Sequence, residues 1–336
     1  MSRRPRVLIV DDSAFARTVL SRLLRASGEV DVIGTARDGN EALEKITALD
    51  PDVVTLDLTM PELGGIGVLR ALAGRVRPRV IVVSISGVES DLGAEALMLG
   101  AVDLVTKPTA LANDRLHAIG TELVAKVVAS VGPPFVLARQ PPPLAIPEGR
   151  AELVMIGTST GGPQALTKLI AALPAEITAP IAIVLHIPPG YTEALAARLD
   201  RISKLRVVEA SDGLELMRGR VMLARGGSHL RVVRHGGSLF AEVSGMPFRP
   251  FAPSVDELLL SGARAVGARG LGIILTGMGD DGLEGARALA AAGGSLITEA
   301  PETCVVYGMP RSVQEAGLGA ASVRLDDVAS EIARRA

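Results

Sequence analysis

Residues 153–162 read Leu-Val-Met-Ile-Gly-Thr-Ser-Thr-Gly-Gly, and their reading decides the fold of the second half of the chain. The four apolar residues predict a buried strand, and Pro163-Gln164-Ala165-Leu166 predicts the start of a helix, since proline suits the first helical turn. Between them Gly157-Thr158-Ser159-Thr160-Gly161 has the G-x-S-x-G spacing of a nucleophile elbow. Small flanking residues permit a sharp turn that lifts the serine Oγ off the strand end. The N–H groups opening the following helix are then free to receive an oxyanion. A serine- and threonine-rich turn that binds a phosphate, or nothing, has the same pentapeptide, so the rest of the chain must decide.

The chain has 336 residues, 48% of them hydrophobic but only 2% aromatic, with no tryptophan, so the core is aliphatic. A net charge of −2 gives no support to a nucleic-acid partner. The single cysteine, Cys304, excludes an intrachain disulfide and fits a reducing compartment. With neither a leader-like apolar segment nor a membrane-length run, the expectation is a cytoplasmic protein without membrane insertion. Residues 132–149 hold six of the 21 prolines, which predicts a polyproline spacer. The expected domains are therefore 1–128 and 151–336, with a linker over 129–150. Apolar strands alternate with helical patterns on both sides, which predicts α/β throughout: two doubly wound parallel-sheet domains.

In the first half, Val7–Val10 ends at Asp11-Asp12, Val53–Leu56 at Asp57, Val80–Val83 at Ser84, and Asp103–Thr106 at Lys107-Pro108. Each strand delivers polar groups at its carboxyl end, the ligand-binding edge of an open parallel sheet. Three carboxylates gathered there suit a hard divalent cation, and Mg²⁺ is the natural choice. A carboxylate beside it can attack a phosphoryl group, with Ser84 and Lys107 binding the phosphoryl oxygens. Taken singly, Asp11-Asp12 also fits a cap for a helix starting near Ala14, Asp57 a turn, and Lys107 a solvated charge. Residues 5–125 resemble a response-regulator receiver domain, which is flavodoxin-like, on Asp11-Asp12, Asp57 with Met60-Pro61, Ser84 and Lys107-Pro108. The resemblance implies Asp57 as phosphoacceptor and Asp11, Asp12 and Asp57 as the Mg²⁺ site. Ile85 departs from the small residue usual there.

A serine nucleophile needs a base, and there are four histidines. His117 falls in a helical pattern, His235 in a hairpin-like turn, and His229 opens a short strand. His186 ends the run Ile181–Leu185, on the same edge as Ser159, and is the best base available. An orienting acid is offered by Thr276-Gly277-Met278-Gly279-Asp280-Asp281-Gly282, which leaves the strand Leu271–Leu275. One aspartate suits a cap for a helix near Leu283 and the other suits His186; spacing does not choose between them. The order Ser, His, Asp differs from that of α/β-hydrolases.

The second half resembles the catalytic domain of CheB-type protein-glutamate methylesterases. The matches are Ile156–Pro163, His186 before Pro188-Pro189, Pro253-Ser254-Val255-Asp256, Leu275–Gly282 and Val305–Pro310. The resemblance implies a Rossmann-like domain with a β-hairpin and makes Ser159 nucleophile, His186 base and Asp281 the orienting acid. Backbone N–H groups at Thr160 and Met278 are the expected oxyanion donors. It implies hydrolysis of glutamyl methyl esters and deamidation of glutamines on methyl-accepting chemoreceptors. It also implies activation by a CheA-type histidine kinase through the receiver, and no cofactor for the ester chemistry. Ala252 and Arg225 depart from a usual arginine and proline.

Overall fold

The computed structural model describes residues 3–75, 77–84, 90–107, 113–131 and 151–336, with 113–118 described for backbone alone. The sequence-predicted linker over 132–149, Ile85, Pro108 and the side chain of His117 lie outside the described residues. Two compact units divide at Pro133/Pro134.

The first unit runs β1 (Arg6–Val10), α1 (Ala14–Ala26), β2 (Asp31–Ala36), α2 (Gly39–Leu49), β3 (Val53–Leu56) and α3 (Gly65–Ala71). It continues with β4 (Arg79–Ser84), α4 (Ser90–Met98), β5 (Asp103–Thr106) and α5 (Asn113–Ser130). The sheet order is β2-β1-β3-β4-β5, all parallel, so the chain reverses direction between β1 and β3. A reversal of this kind opens a crevice at the carboxyl ends of the two strands, and Asp11 and Asp57 follow those strands. The inner strands β1, β3 and β4 are apolar runs because both faces are covered. Strand β2 lies at an edge with a mostly half-exposed pattern, and so it carries no apolar run to betray it. Ser13, not Asp11 or Asp12, caps α1, its hydroxyl accepting from Ala16 N. Helix α5 runs to Ser130, past the expected boundary at 128, because Val127 is buried and Ser130 Oγ donates back to its carbonyl.

The second unit runs β6 (Leu153–Thr158), α6 (Gly162–Ala172), β7 (Ile181–Leu185), α7 (Thr192–Ile202), β8 (Arg206–Glu209), β9 (Arg220–Leu223), β10 (His229–His235) and β11 (Ser238–Ser244). After these come α8 (Val255–Val266), β12 (Gly270–Ile274), α9 (Leu283–Ala291), β13 (Ser295–Glu299), α10 (Met309–Glu315), β14 (Ala321–Val323) and α11 (Leu325–Arg335). Seven strands form a parallel sheet in the order β14-β13-β12-β6-β7-β9-β8, and β10-β11 is an antiparallel hairpin. From β6 the chain first builds one side of the sheet with β7, β8 and then β9, which inserts between β7 and β8, and afterwards the other side with β12, β13 and β14 in outward order. The reversal therefore sits at β6, whose carboxyl end carries Ser159.

Helix α8 is held by its apolar face: Val255, Leu258, Leu259, Ala263 and Val266 are all buried. Each buried valine or leucine contributes about 1.5–3 kcal/mol, enough to fix where the helix begins. Against it lies α9, where a Cβ on Gly285 would stand 2.5 Å from Leu259 Cβ and 3.0 Å from Asp256 O. Gly285→Ala is expected to lower the stability of the second unit by about 1–3 kcal/mol, the overpacking cost outweighing the gain in helix propensity. A urea midpoint no lower than wild type would contradict this packing.

Candidate active site

Ser159 follows β6 directly and is almost wholly buried. Its N–H donates to Thr276 O at 3.0 Å, and its carbonyl accepts from Gly162 N at 2.7 Å. The turn depends on Gly161, whose φ of +82° is left-handed. A Cβ there would also stand 2.5 Å from Val305 Cβ and 3.0 Å from Thr276 Oγ1. On the far side Gly277 approaches so closely that a Cβ would sit 2.9 Å from Ser159 Cβ. Met278, expected among the oxyanion donors, is the next residue along that segment, and Thr160 is the next residue after Ser159.

His186 follows β7, and its N–H donates to Thr158 O at 3.1 Å, extending the pairing of β6 with β7 by one residue. Its ring is fixed on two sides. Nε2 donates to Asp281 Oδ2 at 2.7 Å, and Phe251 stacks on the imidazole with centroids 4.3 Å apart and planes 8° from parallel. The other nitrogen, Nδ1, is buried and has no hydrogen-bond partner, Ser159 Oγ included.

Asp281 and Asp280, equal candidates by spacing, stand in different surroundings. Asp280 is exposed, whereas Asp281 is buried. The Asp281 carboxylate receives four donors, two on each oxygen. Oδ2 accepts from His186 Nε2 and from Val255 N (2.7 Å); Oδ1 accepts from Ser254 Oγ (2.9 Å) and Asp256 N (3.0 Å). A carboxylate at a helix N-terminus meets both free N–H groups and the positive end of the dipole. Burial by itself raises the Asp281 pKa, but the His186 ring and these N–H groups outweigh it and hold the group down at about 2. In exchange, Asp256 Oδ1 accepts from Gly282 N (2.9 Å) and Gly285 N (2.8 Å) at the start of α9. Neither Asp280 nor Asp281 caps that helix, contrary to the sequence expectation; the cap comes from α8. Burial, opposed by Gly285 N–H and reinforced by the Asp281 charge, pushes the Asp256 carboxyl up to about 6.

The other described histidines take structural places. His229 is buried, with Nε2 against Pro247 O at 2.9 Å and Nδ1 accepting from Ser254 N at 3.2 Å. It thereby steadies the segment that caps α8. His235 is exposed at the hairpin turn, tilted on Phe240. Arg225 and Ala252 lie on two loops beside His186. Gly226 packs against Pro188 O, and Gly227 N donates to Ala252 O at 3.0 Å.

Sequence reading missed Phe251, Ser254, Asp256 and Thr276 as contributors. Only Phe251 left a signal, an aromatic beside Pro253-Ser254-Val255-Asp256 in a chain nearly without aromatics.

In the first unit, Lys107 Nζ pairs with Asp11 Oδ2 at 2.8 Å and with Asp57 Oδ2 at 2.6 Å. Burial works against the Lys107 ammonium, but the two carboxylates raise its pKa above the ordinary value. Lys107 N donates to Ser84 O at 2.7 Å, which joins the ends of β4 and β5. Carboxylate oxygens of Asp11, Asp12 and Asp57 lie within 4.8 Å of one another, with Asp11 and Asp57 buried and Asp12 exposed. This donor set, all oxygen and open on one side, fits a hard divalent cation that keeps part of its water. Among the described residues no helix is long and apolar enough to cross a membrane.

Comparison with known proteins places these two sites in context. Residues 154–332 match the family model described as CheB methylesterase, and residues 7–119 match that of the response regulator receiver domain. The chain is 53% identical over 341 residues to protein-glutamate methylesterase/protein-glutamine glutaminase 5 of Myxococcus xanthus, covering 98% of this chain and 97% of that one. It is 40% identical to the protein-glutamate methylesterase/protein-glutamine glutaminase of Thermotoga maritima, covering 93% of each. The crystal structure of the Thermotoga maritima CheB methylesterase catalytic domain is similar with a TM-score of 0.53 and 40% identity, covering 54% of this chain and 97% of that chain.

Because Asp281 has a lowered pKa, its ionised form stabilises the folded state above the ordinary carboxyl value of 3.8, and this contribution is lost as pH falls toward about 2. Asp281→Asn is therefore expected to cost about 3 kcal/mol at neutral pH, the range for breaking a buried charged contact. The deficit should shrink between pH 3.8 and 2. Urea titrations of both proteins across pH check this; a pH-independent difference contradicts it.

Proposed function

This chain belongs to the CheB methylesterase family, and from that premise we propose that it hydrolyses glutamyl γ-methyl esters on methyl-accepting chemoreceptors by a Ser159–His186–Asp281 mechanism. The observation that carries the mechanism is the His186 ring, bound at Nε2 by Asp281 and free at Nδ1. With the Nε2 proton held by Asp281, Nδ1 is the basic nitrogen. As substrate binds, Nδ1 takes the proton of Ser159 Oγ while that oxygen attacks the ester carbonyl; such contacts commonly tighten only in the complex. The Asp281 carboxylate stabilises the resulting imidazolium. The tetrahedral oxyanion meets the backbone N–H groups of Thr160 and Met278. The C–O bond to methoxide then breaks, His186 returns its proton, and methanol departs. Water, deprotonated by the same nitrogen, hydrolyses the acyl-serine to glutamate. A glutamine side chain follows the same course with ammonia as leaving group.

Ser159→Ala is expected to reduce methanol release from methylated chemoreceptor membranes by at least about 10⁴-fold. The far-ultraviolet circular dichroism should be unchanged. Methanol release at the wild-type rate from the variant would sink the assignment.

The receiver unit supplies the control. Asp57 takes a phosphoryl group from the phosphohistidine of a CheA-type kinase, becoming an acyl phosphate as the P–N bond breaks. Asp11, Asp12 and Asp57 would hold Mg²⁺, which when bound neutralises phosphoryl oxygens. Lys107, now paired with Asp11 and Asp57, and Ser84 are the side chains placed to contact the phosphoryl group. Phosphorylation adds charge and strong acceptors at this edge, which re-forms those contacts and favours the active esterase. Acetyl phosphate with Mg²⁺ is expected to raise esterase activity of the full-length protein, and Asp57→Ala to abolish the rise. An equal response in the Asp57→Ala protein would remove phosphorylation of Asp57 from the mechanism.

A further inference from the structure

Behind the Ser159 turn lies a buried acid that the mechanism above does not use. Glu299 is the last residue of β13 and is fully buried. The parallel pairing of β12 with β13 ends at Ile274 and Thr298. Beyond it, where a further ladder bond would fall, Glu299 Oε2 accepts the N–H of Thr276 at 2.8 Å.

Thr276 joins the parts of the site. Its carbonyl accepts from Ser159 N (3.0 Å) and Thr158 Oγ1 (2.7 Å). Its hydroxyl donates to Thr160 O (2.9 Å) and accepts from Val306 N (3.0 Å). The next residue, Gly277, donates to Val306 O and accepts from Gly308 N and Met309 N. A shift of Thr276 therefore moves the serine turn and the Met278 segment relative to each other.

We propose that Glu299 is a positioning residue of the esterase, its side-chain oxygen holding Thr276 N so that the Thr276–Met278 segment keeps its place against the Ser159 turn. The inference rests on the esterase reading of Ser159. Glu299 Oε1 is buried as well. Burial pushes this carboxyl up; Thr276 N–H, Thr303, Cys304 and the Lys168 charge on α6 pull it down, and burial prevails. Burial likewise raises the pKa of the neighbouring Cys304 thiol.

The test measures methanol release from methylated chemoreceptor membranes by the full-length chain, with Ser159→Ala as the blank and circular dichroism to verify folding. Glu299→Gln keeps an acceptor oxygen at the same reach and should hold kcat within about threefold of wild type. Glu299→Leu should lower kcat about 100-fold with KM unchanged, as expected when reacting groups are displaced by about 1 Å. Glu299→Asp, one methylene short, should also lose kcat with KM unchanged; it decides the matter if the leucine protein does not fold. The proposal is overturned if the glutamine protein falls as far as the aspartate protein, or if the folded variants keep wild-type kcat. It is equally overturned if KM rises while kcat stays. Release that persists in the Ser159→Ala blank would instead overturn the esterase reading beneath it.

Discussion

The second unit is organised around one carboxylate. Asp281 accepts two donors on each oxygen, and those donors come from two separate places: the His186 ring after β7, and the start of α8, which offers the hydroxyl of its cap Ser254 and its first two N–H groups. A buried charge is tolerable only when its lone pairs are met in this way. The same bonds that make the charge tolerable also set the angle of the imidazole and the start of α8. Structure and proposed chemistry therefore share one solution. The cross-capping by Asp256 at α9 locks the loop bearing Asp281 from its other end.

Sheet topology explains why three residues distant in sequence meet at all. Parallel strands bring all their carboxyl ends to one edge, and the reversal at β6 opens a crevice there. Ser159, His186 and Asp281 each follow a strand at or beside that reversal. The receiver unit applies the same rule at β1 and β3, but fills the edge with like charges. Lys107, reaching from the end of β5, neutralises two of them. One edge gathers a serine, a histidine and an aspartate, the other three aspartates and a lysine, from the same topology.

The surroundings of His186 are completed by segments outside the sheet. Phe251 lies just ahead of the cap of α8, half exposed, with one face on His186. Arg225 and Ala252 stand on loops joined through Gly227. None of these three residues takes part in the bonds to Asp281.

Ser159, His186, Asp57 and the fold class were legible in the sequence because apolar runs mark buried parallel strands, and the residue next after such a run lies at the sheet edge. The same logic was blind to β2, whose half-exposed edge position demands no apolar run. It was equally blind to the choice between Asp280 and Asp281, adjacent residues with the same chemistry. The resemblance implied Asp281, and the physical reason lies in the packing of α8 against α9, which turns that carboxylate toward free helix N–H groups and leaves Asp280 in solvent. Thr276, Ser254 and Glu299 make hydrogen bonds that span more than twenty residues of sequence. No local pattern encodes such bonds, because their partners are chosen by where separate strands and helices end in space.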